Sequence, residues 1–380
     1  MTGASEVGPL RGVRVVEFAG LGPVPYAATL LADMGAQIIR VERLGRSVAR
    51  SPSMLDRGRT MVEIDLKSAE GVRCARALCA AADVALEGFR PGVAERLGVG
   101  PDELGVGTNP LVYGRATGWG RTGADAHRAG HDLTYLARSG VLSMLGPADG
   151  PPTVPLQLLA DFAGGGAMLA LGVCAALAGR GASGVGRVVD VAMVDGVTHL
   201  AGVYHAMDAM GLWRAQREAN VFDGGAPFYG VYVTSDNAFL AVAAWEPEFY
   251  AELLSRLGLA GELSVSHQHD HTRWAHDKAA IAAVFADRPL SFWVDEFAGS
   301  DACVEPVVSL SDARMWLTRH GAIVDSPTEP VVPWPASPVA SWAAGEPSAA
   351  DRGATRRVLL DSGVADDTIA EWIARGVVGP

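Results

Sequence analysis

Short apolar runs alternate with helical stretches through the first two hundred residues. Val13-Arg-Val-Val-Glu-Phe18 reads as a strand, Tyr26 to Met34 as a helix and Ala36-Gln-Ile-Ile-Arg-Val-Glu42 as a second strand. That order predicts a parallel sheet with a right-handed crossover. After Arg43 the chain is irregular and basic through Arg46, Arg50, Arg57 and Arg59. Ser68 is placed to cap a helix from Ala69 to Ala82, and Val84 to Phe89 is the next strand. Pro110 to Gly120 is a strand running into a glycine-rich turn, and Phe162 to Ala178 is a long Ala/Leu-rich helix ending at Gly179-Arg-Gly181. Gly186 to Ala192 is a further strand, after which Asp195 leads a helix toward Met210. Beyond the polar stretch Gly211 to Asp223 the pattern changes: Phe228 to Thr234 and Ala238 to Ala244 form a hairpin around Ser235-Asp-Asn237, followed by a helix from Glu248 to Leu257. Pro327 to Pro338 is Pro-rich and is read as crossing back to the first domain. The tail from Arg352 reads as a loop, Leu359 to Gly363, and a closing helix, Asp366 to Ala374.

The expected architecture is therefore α/β: a parallel-sheet large domain at 1–200, a linker at 201–225, a smaller α+β domain at 226–311, a return linker at 312–340 and a C-terminal part of the large domain at 341–380. A chain of 380 residues with 49% hydrophobic content can bury two such cores. Its net charge of -12 and pI near 5.2 exclude an ordinary nucleic-acid-binding surface. Cys74, Cys79, Cys174 and Cys303 show no metal spacing and lie among apolar residues, which suits buried free thiols in a reducing compartment. Met1 to Gly8 does not read as a signal peptide, and the longest apolar run, Met168 to Ala178, is too short to span a bilayer. A cytoplasmic protein is expected, with no membrane or nucleic-acid partner.

Against this acidic background, clustered basic residues are informative. Lys67 and Lys278 are the only lysines. Arg43, Arg57, Lys67, Arg90 and Arg96 gather around predicted strand ends and would suit a ligand carrying several phosphates; any one of them alone could equally decorate the surface. The turn Gly20-Leu-Gly22-Pro-Val-Pro25 shares its opening with a dinucleotide fingerprint, and Glu42 ends the next strand where a ribose-binding acid would stand. Pro25, however, occupies the place of the third glycine, which points to a turn shaped for some other ligand.

The candidate chemistry centres on Gly130 to Gly166. Asp161 stands between an apolar approach and three glycines that open the long helix, so its carboxylate is expected in a confined, nearly water-free space. His131 is its natural partner, because an imidazole titrates near neutral pH. Together they could exchange protons with a substrate bound between them. Plain structural roles also fit, a helix cap for Asp161 and capping or packing for His131. His267-Gln-His269-Asp-His271, followed by His276, could hold a metal ion, but its polar neighbours read as an exposed loop and no metal site is assigned.

Gly8-Pro-Leu-Arg-Gly-Val-Arg-Val-Val-Glu17, Leu31-Ala-Asp-Met-Gly-Ala36, Asp65-Leu-Lys-Ser68, Glu87-Gly-Phe-Arg-Pro-Gly92, Thr117-Gly-Trp-Gly120, Ala129-Gly-His-Asp132 and Asp190-Val-Ala-Met-Val-Asp-Gly196 carry a resemblance that covers nearly the whole chain. They are similar to the class III CoA-transferase superfamily, and within it to the bacterial alpha-methylacyl-CoA racemases. The resemblance implies a Rossmann-like large domain and an interlocked homodimer in which small-domain residues of one subunit complete the active site of the other. It implies that Arg43, Arg57, Lys67, Arg90 and Arg96 hold the phosphates of coenzyme A, joined by Leu66 and Tyr135. It assigns His131 and Asp161 as the acid-base pair, Glu246 as a carboxylate from the other subunit that hydrogen-bonds the histidine, and the backbone near Asp132 as support for the thioester oxygen.

The implied reaction is inversion of the centre alpha to an acyl-CoA thioester. It requires a base on one face, an acid on the other and donors at the enolate oxygen, with coenzyme A as part of the substrate and no further cofactor. The alternative within the superfamily is a CoA-transferase in which Asp161 is the nucleophile; a non-catalytic acyl-CoA-binding protein would lack His131 or Asp161. Ala116 stands where related racemases carry a larger Met, which bears on the shape of the acyl pocket.

Overall fold

The computed structural model describes residues 8–45, 54–320 and 354–379; Arg46, Arg50, the 327–338 stretch and Arg352 lie outside them. In chain order the first elements are β1 (Arg14–Phe18), α1 (Pro23–Asp33), β2 (Gln37–Glu42), β3 (Arg59–Glu63), α2 (Ala69–Ala80), β4 (Val84–Glu87), α3 (Val93–Arg96), β5 (Val112–Thr117) and α4 (Asp132–Arg138). A π-helical segment (Leu158–Ala167) then runs into α5 (Met168–Ser183), followed by β6 (Val188–Ala192) and α6 (Met193–Leu200).

The six strands pair in the order β3-β2-β1-β4-β5-β6, every neighbouring pair parallel. Side chains alternate across a strand, so β1 sends Val16 and Phe18 to one core and Val15 to the other. The first core is closed by Cys74 and Leu78 of α2, the second by Ala27 and Leu31 of α1 and Leu169 and Val173 of α5. Helices on both faces explain why the strands read as nearly continuous apolar runs.

Several boundaries move from the sequence expectation for physical reasons. α1 begins at Pro23 rather than Tyr26, because proline suits a first-turn position whose N–H has no partner in any case. β3 hides in the stretch read as irregular, since its first residue, Arg59, is an arginine with 1% exposure. Ser68 caps α2 as expected, its Oγ accepting from the Gly71 N–H at 3.0 Å. The long helix starts at Leu158, so Asp161 lies inside it and Gln157 holds the capping position. Leu158–Ser183 is thus a 26-residue helix long and apolar enough to cross a membrane, where the sequence pattern gave a shorter run; Leu169, Ala170 and Val173 pack into the sheet's second core.

The remaining elements are α7 (Gly202–Ala209), β7 (Tyr229–Val233), β8 (Phe239–Ala243), α8 (Pro247–Arg256), α9 (Trp274–Phe285), α10 (Leu290–Phe297), β9 (Val304–Pro306), α11 (Leu310–Arg319), α12 (Ala354–Asp361) and α13 (Asp366–Ala374). The helix expected from Asp195 to Met210 is broken at Ala201, and the tail loop is largely helical as α12. The described residues form two compact units: those within 1–139, 156–200 and 317–380 make the first, and 140–155 with 201–316 the second. In the first, α12 and α13 add Val358, Leu359, Ile369 and Trp372 to the core beside β3, and Val378 bridges Ile64 at the strand's end. The second is built on the antiparallel sheet β7-β8-β9, whose hairpin turns through Asn237 in the left-handed region. Of the four free cysteines, Cys74 and Cys79 are buried and pushed up to about 12 by burial. Cys303 departs from the expectation and is exposed.

Candidate active site

In a doubly wound sheet the strand order reverses between β1 and β4, and the crevice outside the carboxyl ends of the strands there is open to a ligand. This protein has a cavity of about 860 Å³ at that place, lined by Gly20 and Leu21 after β1, Arg40 to Leu44 at the end of β2, Ile64 to Lys67 after β3, and Phe89 after β4. Arg43, Leu66 and Lys67, expected around coenzyme A, thus line the same cavity.

The floor of the cavity was not legible as a site. Arg40 lies buried, donating to Glu17 and, through Nε, to Glu42 at 2.8 Å. Arg59 donates to the other oxygen of Glu17 at 2.6 Å and to the Pro25 carbonyl of α1 at 2.6 Å. Glu42 is therefore committed to Arg40 and not placed as a free ribose acceptor. The sequence signal was present: Glu17 and Arg40 interrupt otherwise apolar strands, and a charge inside a parallel sheet needs an opposite charge beside it.

Arg57, expected at coenzyme A, does not line this cavity: it is 5% exposed and its guanidinium is paired with Asp33 at the end of α1 in a buried ion pair. Arg90 and Arg96 are exposed and do not line the cavity. Arg96 ends α3, and the charge of Arg90 is felt by Tyr135. Tyr135 is buried with its ring edge-on to Trp119 at 4.8 Å. A side chain on Gly118 or Gly130 would collide with that ring, at 2.3 and 2.6 Å. The Tyr135 hydroxyl is pushed up to about 12 by burial and by the negative charge of Asp161. Ala116 is a buried core residue of β5.

Asp161 is 6% exposed. Its carboxyl oxygen lies where a Cβ on Gly22 would come within 2.9 Å, and Gly22, at φ 69°, caps α1 one residue beyond the cavity-lining Leu21. The three glycines of the π segment make the approach possible: a Cβ on Gly164 would strike Val197, and one on Gly165 or Gly166 would strike Pro23. Small residues let this segment sit flush between α1 and α6, and the wider π turn is a frequent feature of functional sites. Asp132 fastens it from the other side, its Oδ2 accepting the N–H groups of Ala160 and Asp161, both at 2.8 Å. The other Asp132 oxygen is buried without a partner in the described structure.

Burial, reinforced by the negative charge of Asp132, pushes the Asp161 carboxyl up to about 6, against the pull of His131 and a 3.3 Å hydrogen bond from Gln157. His131 holds the capping position just before α4, with its side chain exposed. Its backbone is pinned by the Thr134 hydroxyl, which accepts from its N–H at 3.0 Å and donates to its carbonyl at 2.7 Å. A carboxyl raised to about 6 can take and return a proton at neutral pH. Glu87, ending β4, is a second buried acid, pushed up to about 7 by burial while the Phe89 N–H donates to it at 2.6 Å. In the second unit, Glu246 is exposed at the capping position just before α8.

Sheet order, cavity and buried acid define an α/β protein with an open cavity at the switch point of a parallel sheet and a raised, buried carboxyl on the adjoining helix. The chain belongs to CoA-transferase family III, whose model matches residues 10–353. It is similar to the alpha-methylacyl-CoA racemase of Mus musculus, 46% identical over 304 residues covering 80% of this chain and 79% of that one. It is similar also to the alpha-methylacyl-CoA racemase of Homo sapiens, 42% identical over 329 residues covering 86% and 85%. Among solved structures, Rv3272 from M. tuberculosis superposes with a TM-score of 0.74 at 26% identity, covering 91% of this chain and 96% of that one.

Proposed function

We propose that this protein inverts the alpha-methyl centre of 2-methylacyl-CoA thioesters by proton transfer through an enolate. The observation that carries the reading is Asp161: a buried carboxyl held near pH 6 within the field of the His131 imidazole, in a chain 46% and 42% identical to two alpha-methylacyl-CoA racemases. One of the pair removes the alpha proton, leaving the electron pair on the thioester enolate. The other delivers a proton to the opposite face, so the product is the epimer and the pair ends with its protonation states exchanged. Only protons move, and coenzyme A enters as part of the substrate.

Arg43 and Lys67, with Leu66 between the strand ends, are assigned to coenzyme A, with exposed Arg90 and Arg96 as outer contacts. Backbone at Asp132 supports the thioester oxygen. The working unit is a homodimer in which Glu246 of one protomer steadies His131 of its partner. The free, buried Cys74 and Cys79 suit a reducing cytoplasm.

An (R)-2-methylacyl-CoA incubated in deuterated water tests this: optical purity is lost while deuterium enters the alpha position. Coenzyme A appearing on an added carboxylate without deuterium uptake would instead support transfer with Asp161 as nucleophile. His131→Ala and Asp161→Ala each abolish inversion and leave coenzyme A binding nearly intact; an active double mutant refutes the assignment.

A further inference from the structure

The histidine-rich stretch after His267 is absorbed by none of this, and its histidines turn to different neighbours. His269 packs its ring 5.5 Å from Phe228 and 5.4 Å from Trp245. His271 stacks on Trp274 at 3.8 Å, and His276 pairs with Asp277. Between the first two histidines lies Gln268, a polar side chain with only 1% exposure. Its amide Nε2 donates to two successive backbone carbonyls, Ala244 at 3.2 Å and Trp245 at 2.9 Å. Its backbone carbonyl accepts from the Trp274 indole N–H at 2.9 Å. These carbonyls belong to the two residues before Glu246.

From the geometry we infer that Gln268 is a positioning residue for Glu246. Fixing two consecutive carbonyls fixes the peptide planes that aim the next Cα–Cβ bond. On the far side Pro247 restricts Glu246 to extended backbone, observed at φ -74° and ψ 146°. The Glu246 carbonyl is then taken by the Tyr250 N–H at 3.0 Å. The carboxylate is thus presented on a segment clamped from both ends, with the His269 ring wedged against Trp245. Gln268 leaves its Oε1 buried without a partner, an unfavourable arrangement that its donor end offsets through the two carbonyls. The inference rests on the reading of Glu246 as the carboxylate that completes the partner's site.

A double-mutant cycle in the full-length protein tests it, using deuterium uptake by an (R)-2-methylacyl-CoA. Gln268→Met keeps the length of the side chain and removes the donor; kcat is expected to fall about tenfold with KM changed by less than about twofold. Glu246→Ala is expected to lower kcat by roughly 10- to 100-fold. In that background, adding Gln268→Met should change kcat by less than about twofold, because nothing remains to be aimed. Trp274→Phe, which keeps an aromatic ring but loses the indole bond to the Gln268 backbone carbonyl and some buried ring surface, should give a smaller drop that vanishes in the same way, and it carries the cycle if Gln268→Met does not fold. An equal fall in both backgrounds, or no fall in either, overturns the inference. Full activity of Glu246→Ala alone would instead sink the reading of Glu246, a separate result.

Discussion

Asp161→Asn should make the protein more stable while disabling it. The carboxyl is raised from 3.8 to about 6 chiefly by burial, with Asp132 adding to the effect. Ionising Asp161 in the folded state therefore costs roughly 3 kcal/mol more than ionising it in the unfolded chain. The penalty is absent below pH 3.8, where the carboxyl is neutral in both states. It grows as pH rises through the interval up to about 6, and is fully present above it, because there the folded state must give up a proton it would hold more tightly. An amide carries no charge to desolvate, and its oxygen can keep the bond from Gln157. At pH 8 the variant should gain up to about 3 kcal/mol, several degrees in Tm. At pH 5 the advantage should shrink to about half. Thermal melts of both proteins at the two pH values measure this, and the comparison isolates Asp161, since Glu87, pushed up to about 7, burdens both alike. Deuterium uptake should fall by about 10²- to 10⁴-fold, since an amide cannot shuttle the proton. A variant no more stable than the parent at pH 8, or one whose advantage persists undiminished at pH 5, would refute the account of Asp161 as an unfavourably buried acid.

Asp132→Asn removes the like charge but retains an oxygen for the Ala160 and Asp161 N–H groups; the acid limb of the kcat/KM profile should move to lower pH, and an unmoved limb contradicts the assigned coupling. Gly22→Ala places a Cβ 2.9 Å from the Asp161 carboxylate at a left-handed φ of 69°; it should cost about 1–3 kcal/mol in denaturant titration and lower turnover as well. Arg43→Ala and Lys67→Ala, on the cavity wall, should each raise KM for acyl-CoA about tenfold with kcat within about twofold. Arg57→Ala should instead lose about 3–5 kcal/mol of stability by stranding buried Asp33; a pure KM effect would return Arg57 to the ligand.

The layered plan could be read from the chain, because strand and helix periodicities are local and the strand-helix-strand order leaves few ways to close a parallel sheet. Asp161 was legible too, as a carboxyl in a setting that offers a charge no easy solvation, with His131 as the imidazole nearest in sequence, and the family motifs narrowed the chemistry. Other features depended on residues that meet only after folding. The sequence showed an arginine near strand ends at position 57 and another at position 40, and could not say that one would be consumed by Asp33 and the other would floor the cavity. Gly22 looked like part of a phosphate turn, yet its missing side chain makes room for a carboxylate from a helix more than a hundred residues away. Gln268 had no signal beyond its odd neighbours. Residue type and local period determine which groups are available and which elements form. Which charge is neutralised, which acid is raised and which amide aims a carboxylate is decided by burial and by contacts distant in sequence, and those exist only in the tertiary structure.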